Sequence, residues 1–198
     1  FEKYAQPRIT DVNVAMNIFP EERNYNATVN YVMMNKSDKP IDSLFINHSK
    51  NLKSISFSKE NTLVSKDTVM NFDIYKLKQP LQPGETLNVK FVVQNQSNTW
   101  LTDRSPVIDN GTFMNNSIFP SFGYDEGGEI ADNDIRKKYG LKDKERMADP
   151  NDPEARKNTY ISNEADWINF EATVSTSEDQ IAIAPGYLQK EWTEGGRK

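Results

Sequence analysis

Hydrophobic and polar residues alternate with a period of two along much of the first hundred positions. In residues 11–18, Val12, Val14, Met16 and Ile18 share one face, and Asp11, Asn13 and Asn17 share the other. Such a run predicts a strand with one buried and one solvated side. Pro20, Glu21, Glu22, Arg23 and Asn24 supply turn chemistry. A second strand is expected over 25–34, with Tyr25, Ala27, Val29, Tyr31 and Met33 on one face, so that the two form a hairpin. Shorter β segments are expected at 44–46 and 55–57, and a longer one at 69–77. Leu87, Val89, Phe91 and Val93 then alternate with Asn88, Lys90 and Gln94 in the cleanest strand pattern of the chain. Residues 76–85 hold Pro80, Pro83 and Gly84 and are expected as an edge connection, because proline cannot donate to a central ladder.

The pattern changes past residue 126. Asp132 or Asn133 is placed to cap a short helix ending near Tyr139, with Gly140 as its stop, and 142–147 is expected to add a turn. Residues 149–154, DPNDPE, read as an exposed loop. Alternation returns at 167–175, where Ile168, Phe170, Ala172 and Val174 are expected to face inward, and 180–184 is expected to form a further strand. Short strands without helical crossovers predict a mainly all-β fold, an antiparallel β-sandwich. Residues 1–198 read as a single sandwich domain with a polar helical and loop insertion over 126–163, its helical part around 129–147.

Between these regions lies 105–129, SPVIDNGTFMNNSIFPSFGYDEGGE. Its prolines and glycines prevent any long regular element. Yet Phe113, Ile118, Phe119, Phe122 and Tyr124 crowd into it. A loop with this much apolar surface reads as a packed connection, one that plugs the end of a sandwich or carries binding on a rigid scaffold.

Composition and chemistry narrow the choices. A net charge of -5 argues against a nucleic-acid partner. No apolar run reaches the length of a membrane span, so direct membrane insertion by this segment is not expected. The absence of Cys excludes disulfides and thiol catalysis. His48 is the only histidine and has no nucleophile motif beside it, so it reads as an ordinary side chain; no H-E-x-x-H is present. Asp125, Glu126 and Glu129 read as a solvated acidic loop, and a glycosidase built on Asp125 and Glu129 would need one carboxyl with a raised pKa. Asp149, Asn151, Asp152 and Glu154 resemble the start of a calcium loop but lack its glycine, and Pro153 stands at a ligand position. Asn-x-Ser/Thr triplets at Asn26, Asn47 and Asn110 are expected by chance in so Asn-rich a chain.

Three stretches in order carry a resemblance: PLQPGETLNVKFVV (80–93), NGTFMNNSIFPSFGYDE (110–126) and INFEATVSTSEDQIAIAPGYL (168–188). Together they resemble the N-terminal β-domain of the aminopeptidase N and leukotriene A hydrolase family of zinc metallopeptidases. The subgroup they are most similar to is the bacterial one fused to an ABC-transporter permease. The resemblance covers essentially the whole chain. It implies a saddle-shaped β-sandwich preceding a thermolysin-like catalytic domain, so that this chain, which begins at Phe1, is a fragment of a larger protein. The family's H-E-x-x-H, downstream Glu and G-x-M-E-N motifs belong to the next domain. No catalytic residue, cofactor or metal ligand is therefore expected here, and zinc is expected in the catalytic domain of the parent. The implied role is a non-catalytic domain of a membrane-linked zinc aminopeptidase that packs on the catalytic domain of the same polypeptide and walls its cleft, with peptide substrate at the cleft edge. The implied location is extracytoplasmic, as a soluble domain of a bacterial membrane protein.

The family pattern T-Q-x-E-P-x-x-A-R precedes an F-P-x-x-D segment, and here only the later part is matched, by Phe119-Pro120-Ser121-Phe122. The substrate-contacting Gln has no clear counterpart, and Asn110 or Thr112 is the candidate for its place. The resemblance thus marks Asn110, Thr112, Phe113 and Tyr124 as cleft or interface candidates, and Phe119, Phe122 and Phe170 as structural anchors. The alternative is a free-standing extracytoplasmic β-sandwich that binds peptide or carbohydrate.

Overall fold

Two sheets account for the alternating pattern. The computed structural model describes residues 4–96, 105–108, 111–144, 148–153, 155–157 and 166–198. By internal packing the chain divides into two units, Phe1–Gly123 with Ile168–Lys198, and Tyr124–Trp167.

The first unit holds strands β1 (Arg8–Phe19), β2 (Asn24–Met34), β3 (Ile41–Asn47), β4 (Leu52–Phe57), β5 (Asn61–Asp67), β6 (Phe72–Leu81), β7 (Thr86–Asn95), β8 (Ser121–Phe122) and β9 (Asn169–Ser175). They form a five-stranded sheet, β4-β7-β2-β1-β9, and a four-stranded sheet, β5-β6-β3-β8. All pairs are antiparallel except β1 with β9. The inward faces of β1, β2 and β7 bury Val14, Tyr25, Val29, Met33, Val89 and Phe91 in one core with Leu44, Ile46, Leu77 and Leu81 of β3 and β6. This is the mainly β sandwich that the alternation predicts.

Three elements differ from expectation. β6 continues through Pro80, which the sequence places in an edge connection, and β6 lies inside its sheet between β5 and β3. The ladder to β3 jumps from Ser43↔Lys76 to Ile41↔Leu81, so Pro80 falls where no backbone donor is required. The turn proper is confined to Gln82–Glu85: Glu85 N donates to Gln82 O at 3.0 Å, Pro83 takes the second position, and Gly84 takes the third with φ +80°. Val69 and Met70 stand exposed in the β5–β6 turn rather than in a strand, held by Asp67 Oδ1, which accepts from both of their amides. Residues 180–184 form no strand despite their alternation.

On β9, Phe170, Ala172 and Val174 lie opposite Val12, Val14 and Met16, on the expected face, whereas Ile168 precedes the strand and is exposed. Depth differs from expectation. Ala172 packs against the core, whereas Phe170 is 40% exposed at the outer edge of the sheet, short of a buried anchor.

The second unit contains the helix α1 (Asn133–Lys138). Asp132 is its cap, with Oδ1 accepting from Asp134 N at 2.8 Å and Ile135 N at 3.0 Å. Gly140, at φ +68°, ends it, with Gly140 N donating to Lys137 O and Leu141 N to Arg136 O. Asp149–Pro153 is exposed.

Candidate functional site

The central stretch is fastened to the sandwich at both ends. At its start Val107 is fully buried in the core. Ser105 Oγ donates to Arg23 O at 2.6 Å and accepts from Asn95 Nδ2 at 3.1 Å and Val107 N at 3.2 Å. Arg23, in the β1–β2 turn, has φ +54° and returns Nε to Val107 O at 3.4 Å. At its end, β8 pairs with Ile46 and Asn47 of β3. Gly123 N donates to Phe45 O at 2.8 Å, and Gly123 O accepts from Asn47 Nδ2 at 3.0 Å. Gly123 has φ +98°, a backbone conformation that favours glycine, while a Cβ there would make only ordinary contact with Gln6 Cγ at 3.4 Å. Gln6, which the sequence does not single out, bridges β3 by donating to Ser43 O and accepting from Phe45 N, both at 2.8 Å.

Between these fastenings the aromatic and apolar side chains divide. Met114, Ile118, Phe119 and Phe122 pack against the core. The Phe119 ring lies 5.9 Å from that of Phe91, and the Phe122 ring 6.5 Å from that of Tyr31. Both expected anchors of the stretch are therefore in contact with core aromatics, each half-buried. Asn115 caps the single turn Asn116–Ile118 that brings Ile118 and Phe119 down. Phe113 does the opposite and is 83% exposed. Thr112 sits beside it, its Oγ1 accepting from Ile108 N at 3.1 Å and donating to Ile108 O at 3.2 Å. That exchange ties Thr112, the residue before Phe113, to Ile108. Asn110 lies outside the described residues.

Tyr124 belongs to the second unit. Its hydroxyl donates to Glu129 Oε1. Glu129 also meets Lys144 Nζ at 3.0 Å and Arg136 at 3.5 Å. The Tyr124 hydroxyl and then Lys144 hold the Glu129 carboxyl below its ordinary range. A glycosidic general acid needs the reverse shift, so Glu129 does not fit that role. Asp125 Oδ1 is used to accept from Gly127 N at 2.8 Å.

His48 is half-buried, within the ordinary role expected of it. Its Nε2 lies 3.4 Å from Asp73 Oδ2, and its Nδ1 lies 3.0 Å from Ser49 O. Among the described residues, Asp73 is the one buried acid. The pairing of β3 with β6 brings the two together, a contact that sequence distance conceals. Ser49 Oγ accepts from Asn51 N rather than facing the imidazole, so no nucleophile–base pair is formed there. Among the described residues no three His, Cys, Asp or Glu side chains converge, and His48 with Asp73 falls short of a zinc donor set. A recess of about 280 Å³ lined by Tyr4, Asp38, Lys39 and Asp42 lies at the start of β3, whereas the central stretch joins the end of that strand.

No protein-family model matches the sequence, and no curated protein sequence matches it. Solved structures share its fold. A point mutant of an M1 zinc metallopeptidase from Deinococcus radiodurans, bound to a Tyr-Ser-Ala substrate, superimposes with a TM-score of 0.53 at 13% identity over 96% of this chain and 37% of its own. A two-domain M1 zinc metallopeptidase mutant bound to L-arginine gives 0.52 at 13% identity over 100% of this chain and 39% of its own. An M1 zinc metallopeptidase from Deinococcus radiodurans gives 0.51 at 12% identity, with the same coverage of 100% and 39%. The chain thus spans little more than a third of the length of these structures.

Proposed function

We propose that this chain is the non-catalytic N-terminal domain of a membrane-linked zinc aminopeptidase, in which it packs on the catalytic domain and forms part of the wall of the substrate cleft. The observation that carries the reading is the division within the central stretch. Phe119 and Phe122 hold its base on the core, while Phe113 stands almost bare beside Thr112, which is tied to Ile108. An aromatic left exposed beside a loop base that is packed on the core is available for contact with a neighbouring surface. The shared fold with zinc metallopeptidases, over little more than a third of their length, supports a neighbouring catalytic domain as that cover. Zinc chemistry belongs in this reading to the rest of the parent, since the described residues of this chain offer no donor set for it. Asn110, Thr112 and Phe113 contribute binding and orientation, not bond-making.

The test is kinetic and uses the parent protein. Phe113→Ala is expected to lower kcat/KM for peptides about tenfold, the loss of about 1.4 kcal/mol of transition-state contact. Asn110→Ala is expected to act in the same direction. Unchanged kinetics in both would reduce the stretch to a plug on the sandwich. Zinc in this 198-residue chain together with aminopeptidase turnover by it would overturn the division of roles.

A further inference from the structure

Beyond β9 the chain leaves the sandwich and comes back. Thr176 N donates to Lys198 O at 2.9 Å, Lys198 N donates to Thr176 O at 3.1 Å, and Ser177 bridges to Arg197. Arg197 secures the return: its Nε donates to Ser175 Oγ at 3.0 Å, a terminal nitrogen donates to Ile18 O at 2.8 Å, and its guanidinium lies 4.3 Å from the centre of the Phe19 ring. Ser177 Oγ adds a bond to Glu21 at 2.7 Å. The excursion between these ties, residues 178–196, therefore has a fixed base.

Its side chains run against the usual rule for a loop. Ile181, Ile183, Tyr187 and Leu188 are all exposed, Ile183 at 90% and Tyr187 at 93%, and Trp192 is about half exposed. These exposed side chains are gathered in one short excursion, unlike apolar residues scattered singly over a surface, which need no explanation. The bases around them are engaged locally. Lys198 pairs with Glu191 at 3.2 Å, and Lys190 lies 5.4 Å over the Trp192 ring. Glu178, Asp179 and Glu194 stand at the two ends of the excursion, whereas 180–189, between them, carries no charged side chain and offers a partner mainly apolar surface. A second copy of the chain would bring a second net charge of -5, which opposes close approach. The solved structures that share this fold carry more than half their length beyond the part this chain covers.

We propose that residues 178–196 are a docking arm whose occupant is an uncharged, apolar surface of the parent's catalytic domain. The proposal rests on the function proposed above and names the contact that would hold the two domains together. The arm presents Ile183 and Tyr187 as inserted side chains, and the Arg197 clamp fixes the two ends of the excursion from which they project.

Hydrogen exchange on this chain and on the parent, each at two concentrations, tests it. The amides of 180–190 are expected to exchange at least roughly tenfold more slowly in the parent than in this chain, at both concentrations. Ile183→Asp is expected to leave the melting temperature of this chain unchanged, because the side chain is bare, while lowering that of the parent and releasing the protection. Fast exchange of the arm in a parent that contains zinc and turns over aminoacyl substrates overturns the docking arm and leaves the proposed function standing. A parent without zinc or turnover overturns both. Protection that rises with concentration in this chain, accompanied by a dimeric mass, assigns the arm to a second copy and also overturns the proposal.

Discussion

Phe113 and Phe119 are six residues apart in one loop, and the structure gives them opposite consequences. Full truncation of a buried Phe to Ala costs about 3–5 kcal/mol, as transfer free energy plus the cavity left behind. Phe119 is half-buried, with its ring tilted 5.9 Å from Phe91, so Phe119→Ala should cost about 2 kcal/mol. For a chain of this size each kcal/mol moves the melting temperature by about 2–4 °C, which places the expected drop at roughly 4–8 °C. Phe113 is 83% exposed and returns almost no area to water when truncated, so Phe113→Ala should stay within about 0.5 kcal/mol of the parent chain. Thermal and urea unfolding of the two variants side by side provides the measurement. Equal losses would mean that Phe113 is packed in solution and cannot serve as a presented contact. A negligible loss at Phe119 would mean that the stretch is not rooted on the core.

On β9, Phe170→Asp should cost only about 1–2 kcal/mol because the edge leaves the ring half in water, whereas Ala172→Asp, packed against the core, should cost about 3 kcal/mol or prevent folding; equal unfolding curves would refute the assigned depth. Limited proteolysis should nick the exposed Asp149–Pro153 loop before 111–123, and the reverse order would count against a fastened central stretch. The Glu129 carboxyl, held low first by Tyr124 and then by Lys144, contributes stability that is present above the ordinary Glu range and is lost as pH falls through its depressed folded value. Tyr124→Phe should move its titration, followed by NMR, upward toward the ordinary value, and an unmoved titration would remove the hydroxyl as the main cause.

Legibility followed burial. β1, β2 and β7 were readable because each has one face in the core and one in water, so that Val12–Val14–Met16 or Leu87–Val89–Phe91 alternates cleanly. β5 has nearly every residue exposed on both faces and leaves no period to find; only its pairing with β6 makes it a strand. The reverse error occurs at 180–184, where Ile181 and Ile183 alternate with alanines as a strand should, yet find no partner ladder and stand in solvent. Phe170 shows that period fixes the face but not the depth, which depends on being the last strand of its sheet. In the central stretch, aromatic crowding indicated packing. Nothing in residue type separates Phe113 from Phe119, because the difference arises where the Asn116–Ile118 turn redirects the chain. The His48–Asp73 contact was invisible for a related reason: it exists only through the register of β3 against β6.

The parallel seam between β1 and β9 sets the order in which the sandwich can assemble. β1 meets β2 across a tight turn, with Phe19 opposite Asn24, while Asn13 and its β9 partner Glu171 are 158 residues apart. Closing the longer loop costs about 3 kcal/mol more chain entropy than closing the hairpin. The β1–β2 hairpin can therefore form on local contacts, β7 joins it across the longer separation from Tyr25 to Asn95, and β9, the most distant in sequence, zips on last. The same edge is then the first to open, and opening it carries away Ser175, Thr176 and the Arg197 clamp on Ile18. In native-state exchange the last thirty or so residues should behave as one cooperative unit of low stability, separable from the rest of the sandwich.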